Sequence, residues 1–134
     1  KLPLKSSLMK KWFFFVVLFF NITGIMSQET VKVLETAFKK GEARSISKYF
    51  NENIDLEINE LSDIYKKNEA EIILIKFFSS ENVINFDILH KGQKENSEYL
   101  IGTLKTSKKN YRVTILLKDN LIIQLRIQLY EFQW

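Results

Sequence analysis

Apolar positions recur along the chain at two different spacings, and the change from one to the other divides the text. Between 30 and 40, Val31, Leu34, Ala37 and Phe38 share one helical stripe and Gly41 follows as a natural stop, which predicts a helix. Ile46, Tyr49 and Phe50 repeat the i, i+3, i+4 spacing and predict a second, shorter helix over 42–50. Asn51-Glu52-Asn53 reads as a loop. Beyond it Ile54, Leu56 and Ile58 alternate with Asp55 and Glu57 as in a half-buried strand, and Ile64 and Tyr65 belong to a weaker extended piece. Asn68 and Glu71 stand at the spacing of a capping box, opening a helix whose stripe is Ala70, Ile73, Leu74 and Phe77 and whose exit begins at Ser79-Ser80.

From Asn82 onward the period is 2 and no helical stripe returns. Four strands are predicted, over 83–90, 98–107, 111–118 and 121–129. Asp119-Asn120 is a two-residue turn of residue types that tolerate positive φ, 107–110 is nearly as tight, and 92–97 makes a longer polar loop, so the last three strands form an antiparallel meander. On the final strand Leu121, Ile123, Leu125, Ile127 and Leu129 fall on one face and Gln124, Arg126 and Gln128 on the other, with Arg112 and Thr114 in the same polar phase one strand earlier. The expected fold is α+β: about three N-terminal helices packed on one face of a curved, mainly antiparallel sheet, whose second face is wet or used for association.

Composition changes this picture at the N-terminus. The chain has 134 residues with four glycines, one proline and no cysteine, the size of one domain without disulfides. Lys10-Lys11, the apolar run from Trp12 to Phe20 and the more polar residues ending at Ser27 have the order of a secretory signal peptide, with residues 1–8 an upstream extension before Met9. The alternative is a retained anchor, which needs about 20 apolar residues, whereas this run breaks at Asn21. The expected division is therefore a leader over 1–27 and a single domain over 28–134, exported to the periplasm or the extracellular space. Removing the leader's four lysines from the 20 basic residues leaves 16, matching the 16 acids. A neutral mature chain argues against nucleic acid, and a cleaved leader leaves no membrane segment.

Candidate chemistry is sparse. With one histidine and no cysteine, zinc sites and Cys–His nucleophiles are excluded, and no metal or cofactor is expected. Alternation places Ile84, Phe86, Ile88 and His90 on the apolar face of their strand and Asn85, Asp87 and Leu89 on the other, so Asp87 and His90 are not expected to form a dyad. The carboxylates Asp55, Glu57, Glu60 and Asp63 lack the glycine and offsets of a calcium loop and read as a solvated strand face. Tyr49, Tyr65, Tyr99 and Tyr111 offer hydroxyls to a pocket. The candidate ligand-binding residues are Tyr49, Tyr65, His90 and Tyr99; the candidate interaction face is Arg112, Gln124, Arg126 and Gln128, where Arg112 and Arg126 could also pair with Asp87 as structural ions. Lys105, Lys108 and Lys109 surround a turn and read as solvated.

The segments Ser47-Lys48-Tyr49-Phe50-Asn51, Leu89-His90-Lys91-Gly92, Tyr99-Leu100-Ile101-Gly102-Thr103-Leu104, Tyr111-Arg112-Val113 and Gln124-Leu125-Arg126-Ile127, in this order, resemble the short exported bacterial proteins grouped as domain of unknown function 4783, typical of Bacteroidetes. The resemblance runs from about Val31 to Ile127. It implies the nuclear transport factor 2-like (cystatin-like) cone, a strongly bent sheet wrapped around helices, and brings no activity or catalytic motif with it. The expectation is an exported, non-catalytic domain that binds a small apolar or amphipathic ligand or a protein partner. Two alternatives stand beside it: a pocket enzyme of isomerase or hydrolase type using His90 with a buried Tyr or Asp, and a homodimerisation module working through the open sheet face.

Overall fold

The computed structural model describes residues 28–130; the predicted leader and its cleavage point, and the four residues of the tail, lie outside them. Among the described residues the order is α1 (Gln28–Lys40), α2 (Ala43–Ser47), β1 (Phe50–Ile58), β2 (Leu61–Lys66), α3 (Lys67–Ser80), β3 (Val83–Lys94), β4 (Ser97–Thr106), β5 (Asn110–Lys118) and β6 (Leu121–Leu129). The strands form one curved sheet in the order β2-β1-β6-β5-β4-β3, antiparallel throughout except where β1 runs parallel to β6. The fold is α+β as expected, and the β1–β2 hairpin stands before the third helix, where the strand at Ile54–Ile58 and the extended piece at Ile64-Tyr65 are predicted.

Several expectations need correction. The second helix ends at Ser47, because Phe50 is required in the sheet: it is buried opposite Ile122, whose N–H donates to the Tyr49 carbonyl. Asn51-Glu52-Asn53 is strand, not loop, and Asn53 pairs with Lys66. Here β1 advances from Phe50 to Asp55 while β6 advances only from Ile122 to Gln124, so β1 bows away from its neighbour. No capping box forms, since the Asn68 carboxamide oxygen accepts the N–H of Glu69, and Glu71 instead accepts from Ser47 Oγ at 3.0 Å and faces Arg44. The 92–97 loop is a tight turn: β3 continues to Lys94, which pairs with Ser97, and Glu95 takes φ 57°. The other turns behave as predicted, with Asp119 and Asn120 at φ 52° and 62° and Gly41 at φ 65°.

The largest departures are bulges. In β3, Ile84 and Leu89 have no partner on β4, because pairing jumps from Val83 to Asn85 and from Ile88 to His90. In β6, pairing skips Ile123, so Ile122, Leu125 and Ile127 face the core while Leu121 and Leu129 are exposed, rather than all the odd positions lying inward.

Helices cover the inner face of the sheet through aromatic contacts. Phe38 of α1 stacks on Phe86 of β3 at 4.8 Å, and Phe77 of α3 meets Tyr111 of β5 edge-on at 5.2 Å. Gly102 makes this packing fit: a methyl group there would lie 2.6 Å from the Phe86 ring and 2.8 Å from the Asp87 carbonyl. Leu34, Ile46, Ile54, Leu56, Leu74, Leu104, Ile115 and Ile127 complete a single core. Burying each such side chain stabilises the fold by about 1.5–3 kcal/mol.

Candidate interaction surface

Residues directly opposite on neighbouring strands share a face, so the register dictates what the second side of the sheet presents. Three rows cross it: Asp87, Thr103, Arg112 and Gln128; His90, Ile101, Thr114, Arg126, Glu57 and Ser62; and Gly92, Tyr99, Leu116, Gln124, Asp55 and Ile64. The predicted face residues Arg112, Gln124, Arg126 and Gln128 therefore do lie together. Their partners are not those anticipated. Arg126 meets Glu57 at 3.4 Å, Gln128 donates to Glu57 at 3.3 Å, Gln124 donates to Asp55 at 2.8 Å, and Arg112 lies over the Tyr130 ring at 5.8 Å, while Asp87 accepts from Asn85. The first three of these contacts tie β1 to β6 across the parallel junction. Lying at the surface or half-buried, each is worth about 0.2–1 kcal/mol. Within this polar frame Tyr99, Ile101 and Leu116 form a half-buried apolar patch, and among the described residues no helix lies over it.

The four candidate ligand residues do not converge. Tyr49 and Tyr65 pack against the core at the β1–β2 side, whereas His90 and Tyr99 sit on the β3–β4 hairpin at the other edge of the strand order. His90 is not on the apolar face. The extra residue at Leu89 reverses the alternation, leaving Leu89 65% exposed and turning His90 to the open side together with Asp87. Even so the two form no dyad: the His90 Nε2 contacts the Tyr99 hydroxyl at 3.1 Å. Gly92 permits that contact, since its partner Tyr99 lays its ring across the space a side chain would take.

Sequence reasoning missed one polar cluster. Tyr111, on the inner face, donates to Glu81 Oε1 at 2.7 Å, and Thr106 Oγ1 lies 3.0 Å from Glu81 Oε2 while accepting the N–H groups of Lys108 and Lys109. Burial first, and then the Glu81 carboxylate, push the Tyr111 hydroxyl up to about 12. Glu81 stands immediately after the predicted helix exit and carries no periodic signal, so only the fold brings it to Tyr111. Among the described residues no group of three or more His, Cys, Asp or Glu side chains gathers as a metal site would require. A surface depression of about 460 Å³ is lined by Glu52, Asn53, Lys66, Lys67, Asn68 and Glu71, and neither Tyr49 nor Tyr65 lines it.

The profile described as "Domain of unknown function (DUF4783)" matches residues 31–130. The chain belongs to the DUF4783 family. A DUF4783 family protein of known crystal structure from Bacteroides ovatus is 32% identical, with 81% of this chain and 98% of that one aligned at a TM-score of 0.71. Beyond the DUF4783 family the likeness is one of fold. A nuclear transport factor 2-like protein of unknown function from Cytophaga hutchinsonii shares 15% identity, with 81% of this chain and 94% of that one covered, at a TM-score of 0.56. A candidate polyketide cyclase from Sinorhizobium meliloti shares 12%, covering 75% and 94%, at 0.60. No curated protein matches this DUF4783 domain.

Proposed function

We propose that this chain is an exported, non-catalytic interaction domain that engages a protein partner, most simply a second copy, through the open face of its sheet. The observation that carries the reading is the apolar patch of Tyr99, Ile101 and Leu116 framed by Arg112, Gln124, Arg126 and Gln128, an arrangement of apolar centre and polar rim suited to association. The inner face supports the same choice over a small-molecule site, because Phe38, Phe77, Phe86 and Tyr111 fill the space between helices and sheet. Light scattering of the wild type and an Arg126→Glu variant tests it: a dimer mass that falls to that of a monomer in the variant is expected, and a monomer in both, with unchanged stability, would overturn it.

A second reading, an acid–base site, rests on the 3.1 Å contact of His90 with Tyr99. It is the weaker, since His90 is exposed and the buried Tyr111 lies on the opposite face. Screening esters and isomerisable ketones against wild type and His90→Ala separates the two, because turnover abolished by the substitution would favour the enzyme.

A further inference from the structure

The described sheet has two outer edges, and both carry exposed aliphatic side chains. Ile64 on β2 is 69% exposed, and Leu89 and Ile84 on β3 are 65% and 57% exposed. Backbone N–H and C=O groups that face outward from an edge strand can pair with any further strand, so folded chains close their edges. On β3 the closure is visible in the register: the extra residues at Ile84 and Leu89 interrupt the strand twice, and the exposed Lys91 and Lys94 follow. β2 has no such interruption, since it pairs with β1 residue for residue from Leu61 to Lys66.

The hairpin dictates which groups of β2 face outward. Ile58 and Leu61 flank the two-residue turn and exchange backbone hydrogen bonds, and alternation gives the same inward role to Asp63 and Tyr65. Ser62, Ile64 and Lys66 therefore direct their N–H groups away from β1, to a side where no strand of the described residues receives them. The Ile64 N–H is nonetheless occupied, because the carboxylate of the preceding Asp63 accepts it at 2.7 Å. That oxygen stands where the carbonyl of an added strand would have to come, and its charge repels one.

We infer that the outer edge of β2 is a strand-pairing surface for a second copy of this chain, held shut by the Asp63 carboxylate. Two identical strands pair antiparallel about a two-fold axis, so opposite residues share a face and the axis falls on a residue. An axis at Ile64 pairs residues 62–66 and an axis at Asp63 pairs 61–65, whereas any other leaves three residues or fewer of the strand paired. The first register sets Ile64 against its own copy, and the second sets Leu61 against Tyr65 and Ser62 against Ile64, so both suit an identical strand. Both also require the Ile64 N–H, and the second opposes two Asp63 carboxylates besides. One side chain thus blocks either register. Because Ile64 shares a row with Leu116 and Tyr99, pairing here would extend the open face of one copy into that of the next. The inference does not depend on association through that face.

Analytical ultracentrifugation over a concentration series tests this on the domain from Gln28, which contains the whole described core. The Arg126→Glu variant is the background, so that the open face does not contribute to the mass. Adding Asp63→Ala should produce a dimer with a dissociation constant roughly a hundredfold below that of the background, about tenfold for each of the two carboxylates removed. Adding Ile64→Pro as well should return it to a monomer, since proline deletes the outward N–H and leaves the ladder to β1 intact. If thermal melting shows that the proline destabilises the fold, Ile64→Lys serves instead by bringing two ammonium groups onto the pairing strands. A mass unchanged by Asp63→Ala, or association that survives the substitutions at Ile64, would overturn the inference. So would a background that already dimerises and is dispersed by Ile64→Pro, because Asp63 would then close nothing. A wild type that is monomeric without Arg126→Glu bears on the open face alone.

Discussion

The two faces of one sheet obey the same alternation but are built by different forces. On the inner face, Phe38, Phe86, Phe77 and Tyr111 interlock across helices and strands, so each depends on the shape of its neighbours. On the open face, Glu57, Arg126, Gln128, Asp55 and Gln124 hold one another by pairs that water can replace. Stability therefore resides on one side, leaving the other free to vary toward a partner.

Substitutions on the two sides should separate this division cleanly. Phe38→Ala removes a fully buried ring from the stack on Phe86 and should cost about 3–5 kcal/mol, read from urea denaturation. Alkaline pH should give the next largest loss. Tyr111 loses its proton near 10 in the unfolded chain and at about 12 in the folded one, so between those values the unfolded chain sheds a proton that the folded chain keeps. The stabilisation is complete below pH 10 and falls by roughly 2–3 kcal/mol as pH rises through 12. Tyr111→Phe should lack that increment of alkaline loss when the two unfolding curves are compared. Gly102→Ala should cost about 1–3 kcal/mol, because the new methyl group meets both the Phe86 ring and a backbone carbonyl that cannot swing aside. Arg126→Ala, on the open face, should change stability by less than about 1 kcal/mol. A loss there as large as that of Phe38→Ala would erase the distinction between the faces.

The inner face was legible in the sequence wherever a strand or helix keeps its period. Val31, Leu34, Ala37 and Phe38 line α1 as predicted, and Ile54, Leu56 and Ile58 line β1. What the text could not disclose was the single extra residue. Leu89 looks like any other aliphatic strand residue, yet leaving it unpaired moves His90 to the opposite side and separates it from Phe86 and Ile88. Ile123 does the same within β6, where five alternating aliphatics suggested an unbroken register. The open-face quartet survived because Gln124, Arg126 and Gln128 all follow the bulge and remain in phase with one another. The four aromatic and histidine candidates failed to assemble because residue type alone carries no information about which edge of a sheet a strand occupies. Glu81 escaped for the complementary reason: it belongs to no repeat, and its partners lie 25 and 30 residues onward.

The parallel pairing of β1 with β6 also has a bearing on when this chain can fold. β6 lies between β1 and β5, so the β1–β2 hairpin has no strand neighbour in the meander until the final described strand exists. Closure over so long a sequence separation is slow. Until β6 is in place the hairpin and the β3–β5 meander have no strand pairing between them, so the two halves of the sheet are joined in a single late step.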